Sequence, residues 1–109
     1  MEWISNRYNY PTIYITENGF ACNDQLTNGE VNDLDRLEYH KKYLEACNNA
    51  IKDGINLKGY FAWSLFDNFE WASGYSVRFG INYIDYKTLK RIPKASALWF
   101  KKIIKDNGW

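Results

Sequence analysis

The sequence predicts an α/β fold: two successive βα units that belong to a larger parallel sheet. Two apolar runs carry the first part of this prediction, Pro11 to Thr16 and the stretch "NLKGYFAWSLF". Both are rich in β-branched or aromatic residues, and both lack the polar alternation of a half-solvated strand. Between them a helical pattern runs from about Leu34 to Lys52. Strand, long helix and strand in this order form a βαβ unit, whose strands are parallel and whose crossover is right-handed. Strands apolar on both faces need cover on both sides, and two strands with two helices cannot supply it. The natural settings are an open α/β sheet or a (β/α)8 barrel, which runs to about 250 residues.

Taken in order, "MEWISNRYNYP" reads as the end of a helix. The first strand places Ile13 and Ile15 among Thr12 and Tyr14, and Glu17 sits where it runs out, with Asn18-Gly19 as a turn. Locally, Glu17 fits a solvated loop start as well as a functional carboxylate. A polar loop, "ACNDQLTNGEVND", leads to the helix, whose apolar face is read as Leu34, Leu37, Leu44, Cys47 and Ile51. Asn32 or Asp33 is its cap and Gly54 its stop. After the second strand, the loop "DNFEWASGYSVRFG" precedes a short strand-like piece, "INYIDY". The last helix is expected in "RIPKASALWFKKIIKDNGW", with Pro93 in its first turn, an apolar stripe of Ala95, Leu98, Trp99 and Ile103, and Gly108 as stop. Residues 1–109 are thus read as one partial domain with no linker.

Composition narrows the function classes. With 14 basic and 13 acidic residues and a net charge of +1, the chain carries no electrostatic footprint for nucleic acid. Lys101, Lys102 and Lys105 read as a solvated helix face. The sequence has no membrane-length apolar run, no secretory h-region and no Asn-x-Ser/Thr sequon, so no membrane partner is expected and the compartment is left unspecified. Cys22 and Cys47 lack CxxC spacing and read as free small hydrophobes. One histidine, His40, is too few for a zinc site or a Ser/His/Asp triad and reads as a packed or capping residue. The aromatic content of 18% serves either a core or a cleft that takes the apolar faces of sugars, and composition does not separate the two.

In either parallel architecture, function sits at the carboxyl ends of the strands. The first strand ends at Glu17 with Asn18 beside it, and the second reaches Trp63 and continues to Asp67, Asn68, Glu70 and Trp71. Carboxylates accept vicinal sugar hydroxyls and indoles cover sugar CH faces, so the cluster suits a carbohydrate. Solvated acids over core aromatics remain the alternative reading of the same residues.

"PTIYITENG", followed after a helix by "GYFAWSLFDNFEWASGY" and "RFGINYIDY", closely resembles the C-terminal part of glycoside hydrolase family 1, the β-glucosidases and their relatives. The resemblance covers essentially the whole chain, and "KGYFAWSLFDNFEW" and "GINYIDYKTLKR" are most similar to plant-type members. It implies a (β/α)8 TIM barrel, of which this chain supplies about the last two βα units, and retaining hydrolysis of β-D-glycosides without a cofactor. It also implies that Glu17 is the nucleophile and that Trp63 is the platform under the glycone ring. Glu70 and Trp71 would hydrogen-bond glycone hydroxyls, and Phe79 would lie near the far end of the sugar. A cis Trp63-Ser64 peptide is implied as well. Members acting on 6-phosphorylated sugars place Ser, Lys and Tyr where this chain has Glu70, Val77 and Phe79. The expected glycone is therefore not phosphorylated, with glucose first and galactose or fucose next. The residues that would choose the aglycone mostly lie outside this segment.

A retaining glycosidase needs two carboxyls about 5 Å apart. The family takes its acid/base from an Asn-Glu-Pro motif on an earlier strand, whereas the two prolines here, Pro11 and Pro93, follow Tyr10 and Ile92. Neither Glu30 nor Glu70 is read as a substitute. The expectation is a C-terminal fragment containing the seventh and eighth βα units, beginning within the family's sixth helix as the product of a truncated or partial gene. Its partners would be a β-glycoside and the missing N-terminal part of the barrel, and alone it is expected to be inactive. The alternatives are a sugar-binding fragment without turnover, using Trp63, Glu70 and Trp71, or a chain that does not fold alone.

Overall fold

In the computed structural model, which describes residues 1–108, a short helix α1 (Glu2–Arg7) leads into strand β1 (Ile13–Asn18). Helix α2 (Leu34–Lys52) then returns the chain to strand β2 (Leu57–Ala62), which pairs with β1 in parallel. Strands β3 (Asn82–Ile84) and β4 (Arg91–Pro93) and helix α3 (Ala95–Asp106) follow. The βαβ unit expected from the two apolar runs is present. β1 extends two residues further than Thr16, so Glu17 lies inside the strand.

The sheet is covered on one face. Ile13, Ile15, Leu57 and Tyr60 pack with Ile55, Cys47 and Ala50 at the α2 side. On the other face Tyr14 and Phe61 are exposed. A pairing irregularity at the start of the strands, Ile13 with Leu57 but Tyr14 with Gly59, sets Leu57 and Tyr60 on the same side although they are three positions apart.

The helix faces differ from the apolar stripes read in the sequence. Leu34, Ile51 and Leu98 are exposed, whereas Arg36, His40 and Cys47 form the buried face of α2. The reason is a second centre that is ionic. Among the described residues, nine polar or charged residues are buried against five apolar ones. Arg36 pairs with Asp24 (2.8 Å) and Asp33, and Lys94 with Asp24 and Asp67 (2.7 Å), while Arg78 pairs with Asp67. Three carboxylates balance three cations, so no buried charge is left uncompensated.

Three further expectations are corrected. Pro93 is not in a helix turn but closes β4, which pairs antiparallel with β3 as a hairpin. Asp33 holds the first-cap position of α2 yet makes no cap bond there; its carboxylate instead accepts the Ser96 backbone N–H (2.8 Å) and hydroxyl, capping α3 from a distance. The left-handed residue ending α3 is Asn107 rather than Gly108. Gly54 ends α2 as expected: at φ +88° it allows Gly54 N–H to reach Ile51 O and Ile55 N–H to reach Ala50 O, both at 3.0 Å. His40 is packed, both cysteines are free, and Lys101, Lys102 and Lys105 are exposed, as read. Among the described residues no helix is long and apolar enough to cross a membrane.

Candidate active site

Along an uninterrupted strand Glu17 would share a face with Ile13 and Ile15, against α2. The pairing register, however, advances from Ile15 to Asn18 in β1 while β2 advances only from Tyr60 to Ala62. This extra residue returns Asn18 to the helix side, where its amide donates to the Tyr39 hydroxyl (3.1 Å) and accepts from the Tyr60 hydroxyl (2.7 Å). Glu17 is thereby turned to the open face and is exposed. Bulges beside functional sites re-aim side chains in this way.

The ends of β1 and β2 are stapled together at this point. The backbone N–H of Trp63 donates to Asn18 O (2.8 Å). A Cβ on Gly19 would stand 1.9 Å from Trp63 O, so only glycine fits where the two chains cross. The Trp63-Ser64 peptide is cis, as the resemblance implies. Ser64 N–H in turn donates to Phe79 O (3.2 Å), and Ser64 O accepts from Ile81 N–H (2.8 Å). Main-chain bonds thus bring the segments of Glu17, Trp63 and Phe79 together.

Glu70 and Trp71 lie on the loop between Asp67 and Gly80. Glu70 N–H bonds Gly74 O (2.7 Å), and a 3-10 turn (Trp71–Ser73) follows. Trp71 is 84% exposed and sits at φ +41°, a conformation that is roughly 1–2 kcal/mol unfavourable for a residue with a Cβ. Among the described residues no hydrogen bond joins Glu70 or Trp71 to Glu17.

The loop is fixed at its base. The buried Asp67 carboxylate accepts Gly80 N–H (3.0 Å), Ile84 N–H (3.2 Å), Lys94 Nζ (2.7 Å) and Arg78 Nη1. Arg78 also lies over the rings of Tyr83 (4.0 Å) and Tyr86 (4.4 Å), and Tyr86 packs at a tilt on Tyr75, which meets Phe69 edge-on. Sequence reading missed these supports. It also missed Tyr39, Tyr60 and His40 behind Asn18, although Arg36, His40, Leu44 and Cys47 recur at helical spacing.

A piece of parallel α/β sheet with an exposed carboxylate and an indole gathered at its carboxyl strand ends is the class of protein this geometry defines. The model of glycosyl hydrolase family 1 matches residues 1–109, and the chain belongs to that family. It is 50% identical to the 1,4-beta-D-glucan glucohydrolase of Thermotoga neapolitana, over 99% of this chain and 24% of the relative. It is 52% identical to beta-glucosidase 31 of Arabidopsis thaliana, over 99% of this chain and 21% of that one. Among solved structures, the beta-glucosidase from Thermotoga maritima in complex with deoxynojirimycin superposes with a TM-score of 0.96 at 50% identity, covering 99% of this chain and 25% of that one. The chain therefore spans about a quarter of the length of the relatives it matches, as a piece of a TIM-barrel family.

Proposed function

We propose that residues 1–109 are the seventh and eighth βα units of a (β/α)8 barrel and carry the nucleophile and glycone-binding half of a retaining β-glucosidase-type site. The observation that carries this reading is the bulge at the end of β1, which turns Glu17 to the open face while Asn18 binds the backbone of Trp63.

In this reading a Glu17 carboxylate oxygen attacks the anomeric carbon from the face opposite the aglycone, forming a glycosyl ester as the aglycone oxygen leaves with a proton from the acid. Water, deprotonated by the same second group, then attacks that carbon and frees the carboxylate, so configuration is retained. Trp63 lies under the sugar ring, Glu70 and Trp71 take its hydroxyls, and Phe79 borders its far end. The acid/base comes from the first six βα units. Glu70 would repel a phosphate, so the glycone is non-phosphorylated glucose, with galactose or fucose next. Two structures of the beta-glucosidase from Thermotoga maritima, in complex with galacto-hydroximolactam and with a methoxycarbonyl-substituted glucoimidazole, support such glycones.

The test is to co-express the chain with a fragment supplying those six units and to assay β-glucoside hydrolysis. Activity is expected in the assembly and not in either piece. Glu17→Ala should reduce it by more than about 10⁴-fold, and a 6-phosphorylated β-glucoside should be a poor substrate. Undiminished turnover by the Glu17→Ala assembly would refute the assignment.

A further inference from the structure

We propose that His40 is a positioning residue: through the Tyr60 hydroxyl it fixes the side-chain amide of Asn18 and thereby the bulge that presents Glu17. This inference rests on the reading of Glu17 as nucleophile.

The imidazole is fully buried, and its Nδ1 lies 2.9 Å from the Tyr60 hydroxyl, which lies 2.7 Å from Asn18 Oδ1. Asn18 Nδ2 continues the chain to the Tyr39 hydroxyl at 3.1 Å. Counting protons selects one arrangement. With the proton on Nδ1, the imidazole donates to Tyr60, Tyr60 donates to Asn18 Oδ1, and Asn18 donates to Tyr39. With the proton on Nε2, that N–H is buried without a partner, because Nε2 has none among the described residues, and Tyr60 must turn its only hydrogen to Nδ1. Asn18 Oδ1 then loses its donor. The first arrangement keeps one hydrogen bond more and leaves only a lone pair unmet.

Ring contacts hold the imidazole in place. Tyr39, Tyr60 and Phe100 stand edge-on to it at centroid distances of 5.6, 6.3 and 5.1 Å, so α2, β2 and α3 all fix its plane. The consequence reaches the site because Asn18 is a junction. Its side chain is tied to Tyr39 and Tyr60, and its carbonyl to Trp63 N–H. A bulge leaves its extra residues outside the regular ladder, so the direction of Glu17 depends on how firmly the next residue is held.

The chain is labelled with 15N and 13C and studied by NMR, alone and assembled with the unlabelled six-unit fragment. His40 is its single histidine, so its imidazole signals are unambiguous. The proposal expects a neutral ring protonated at Nδ1. Tyr60→Phe removes one oxygen and keeps the ring; it should shift the Asn18 side-chain amide and the Glu17 carboxyl resonances together. His40→Phe should do the same. His40→Asn, whose amide nitrogen falls near the Nδ1 position, should restore both resonances, and His40→Gln, which reaches the Nε2 position, should not. Ile13→Val, in the same core but outside the relay, serves as the control for general loosening. A ring protonated at Nε2, unmoved Glu17 signals in Tyr60→Phe, or an equal response to Ile13→Val would each overturn the proposal. These readouts need no turnover, so an inactive assembly would sink the functional reading while leaving the relay to be decided by the spectra.

Discussion

At the scale of single residues, two positions have consequences that can be measured without catalysis. Burial, with the charge of Arg36 adding and that of Asp33 opposing, pushes the His40 imidazole down to about 4 from 6.5. Its other titratable neighbours are the hydroxyls of Tyr39 and Tyr60, and the Tyr60 hydroxyl is pushed up chiefly by burial. Between pH 6.5 and 4 the unfolded chain binds a proton that the folded chain does not, so unfolding free energy rises with pH across that window. The contribution is complete above 6.5 and is lost on acidification, amounting to on the order of 2 kcal/mol between pH 7 and 5. Urea unfolding at the two pH values should show this loss in the wild type and a flatter response in His40→Asn, which has no proton to gain; parallel losses would mean that His40 is not held neutral. At Gly19, an alanine Cβ would fall 1.9 Å from Trp63 O. Gly19→Ala should therefore part the two strand ends and lower the melting temperature by well over 4 °C, the shift expected of about 1 kcal/mol in a chain this size. A melt within 1 °C of wild type would show that the crossing is loose.

At the scale of elements, ion pairs that look alike in the sequence separate by burial. Asp33 is fully enclosed with Arg36 and also caps α3 through Ser96, whereas Glu38 and Lys42 are mostly exposed at 3.7 Å. Asp33→Ala leaves buried donors unmet on two helices and should destabilise the chain by about 3 kcal/mol or more. Glu38→Ala should change stability by about 0.5 kcal/mol or less. Equal effects in denaturant titrations would contradict the buried network. The same contrast explains what could be read beforehand. β1 and β2 were legible as continuous β-branched and aromatic runs around Ile13, Ile15 and Leu57, and α2 as a helical pattern that Gly54 ends with a positive φ. The buried face of α2 was obscured because Arg36 and His40 occupy it, and polarity was taken for exposure. β3 falls within the short strand read in "INYIDY", but β4 and its pairing with β3 were missed because Pro93 suits a helix start, although its missing N–H is equally harmless at the end of an edge strand. In the site, the position of Glu17 and Trp63 at neighbouring strand ends was legible, but the bulge that turns Glu17 to the open face was not, since it depends on register between segments far apart in sequence.

At the scale of the whole molecule, the surface itself argues for a missing complement. A folded monomer of 12.9 kDa is expected to expose about 6,300 Å², and this chain exposes 7678 Å². Its radius of gyration is 15.9 Å, against about 13 Å for a compact domain of its length. The shape is a slab only 18 Å through its shortest extent, one layer of sheet with helices on one side. Part of this exposed surface lies on the uncovered face and edges of the sheet. Tyr14 and Phe61 are exposed on the uncovered sheet face, and among the described residues β1 and β2 pair only with each other, which leaves both outer edges open to pairing. Exposed Trp3 and Tyr8 extend the apolar surface around α1. Taken alone, the chain should bind a hydrophobic dye such as ANS and self-associate as its concentration rises. Adding the fragment that supplies the first six βα units should abolish dye binding, give a one-to-one complex and raise the melting temperature with fragment concentration, as linkage requires of anything that binds only the folded form. Phe61→Glu, on the uncovered face and outside the α2 core, should weaken that complex while leaving the core beneath α2 intact. A chain that stays monomeric, binds no dye and melts at the same temperature with or without the fragment would show that the slab is already complete, and the barrel reading would fall with it.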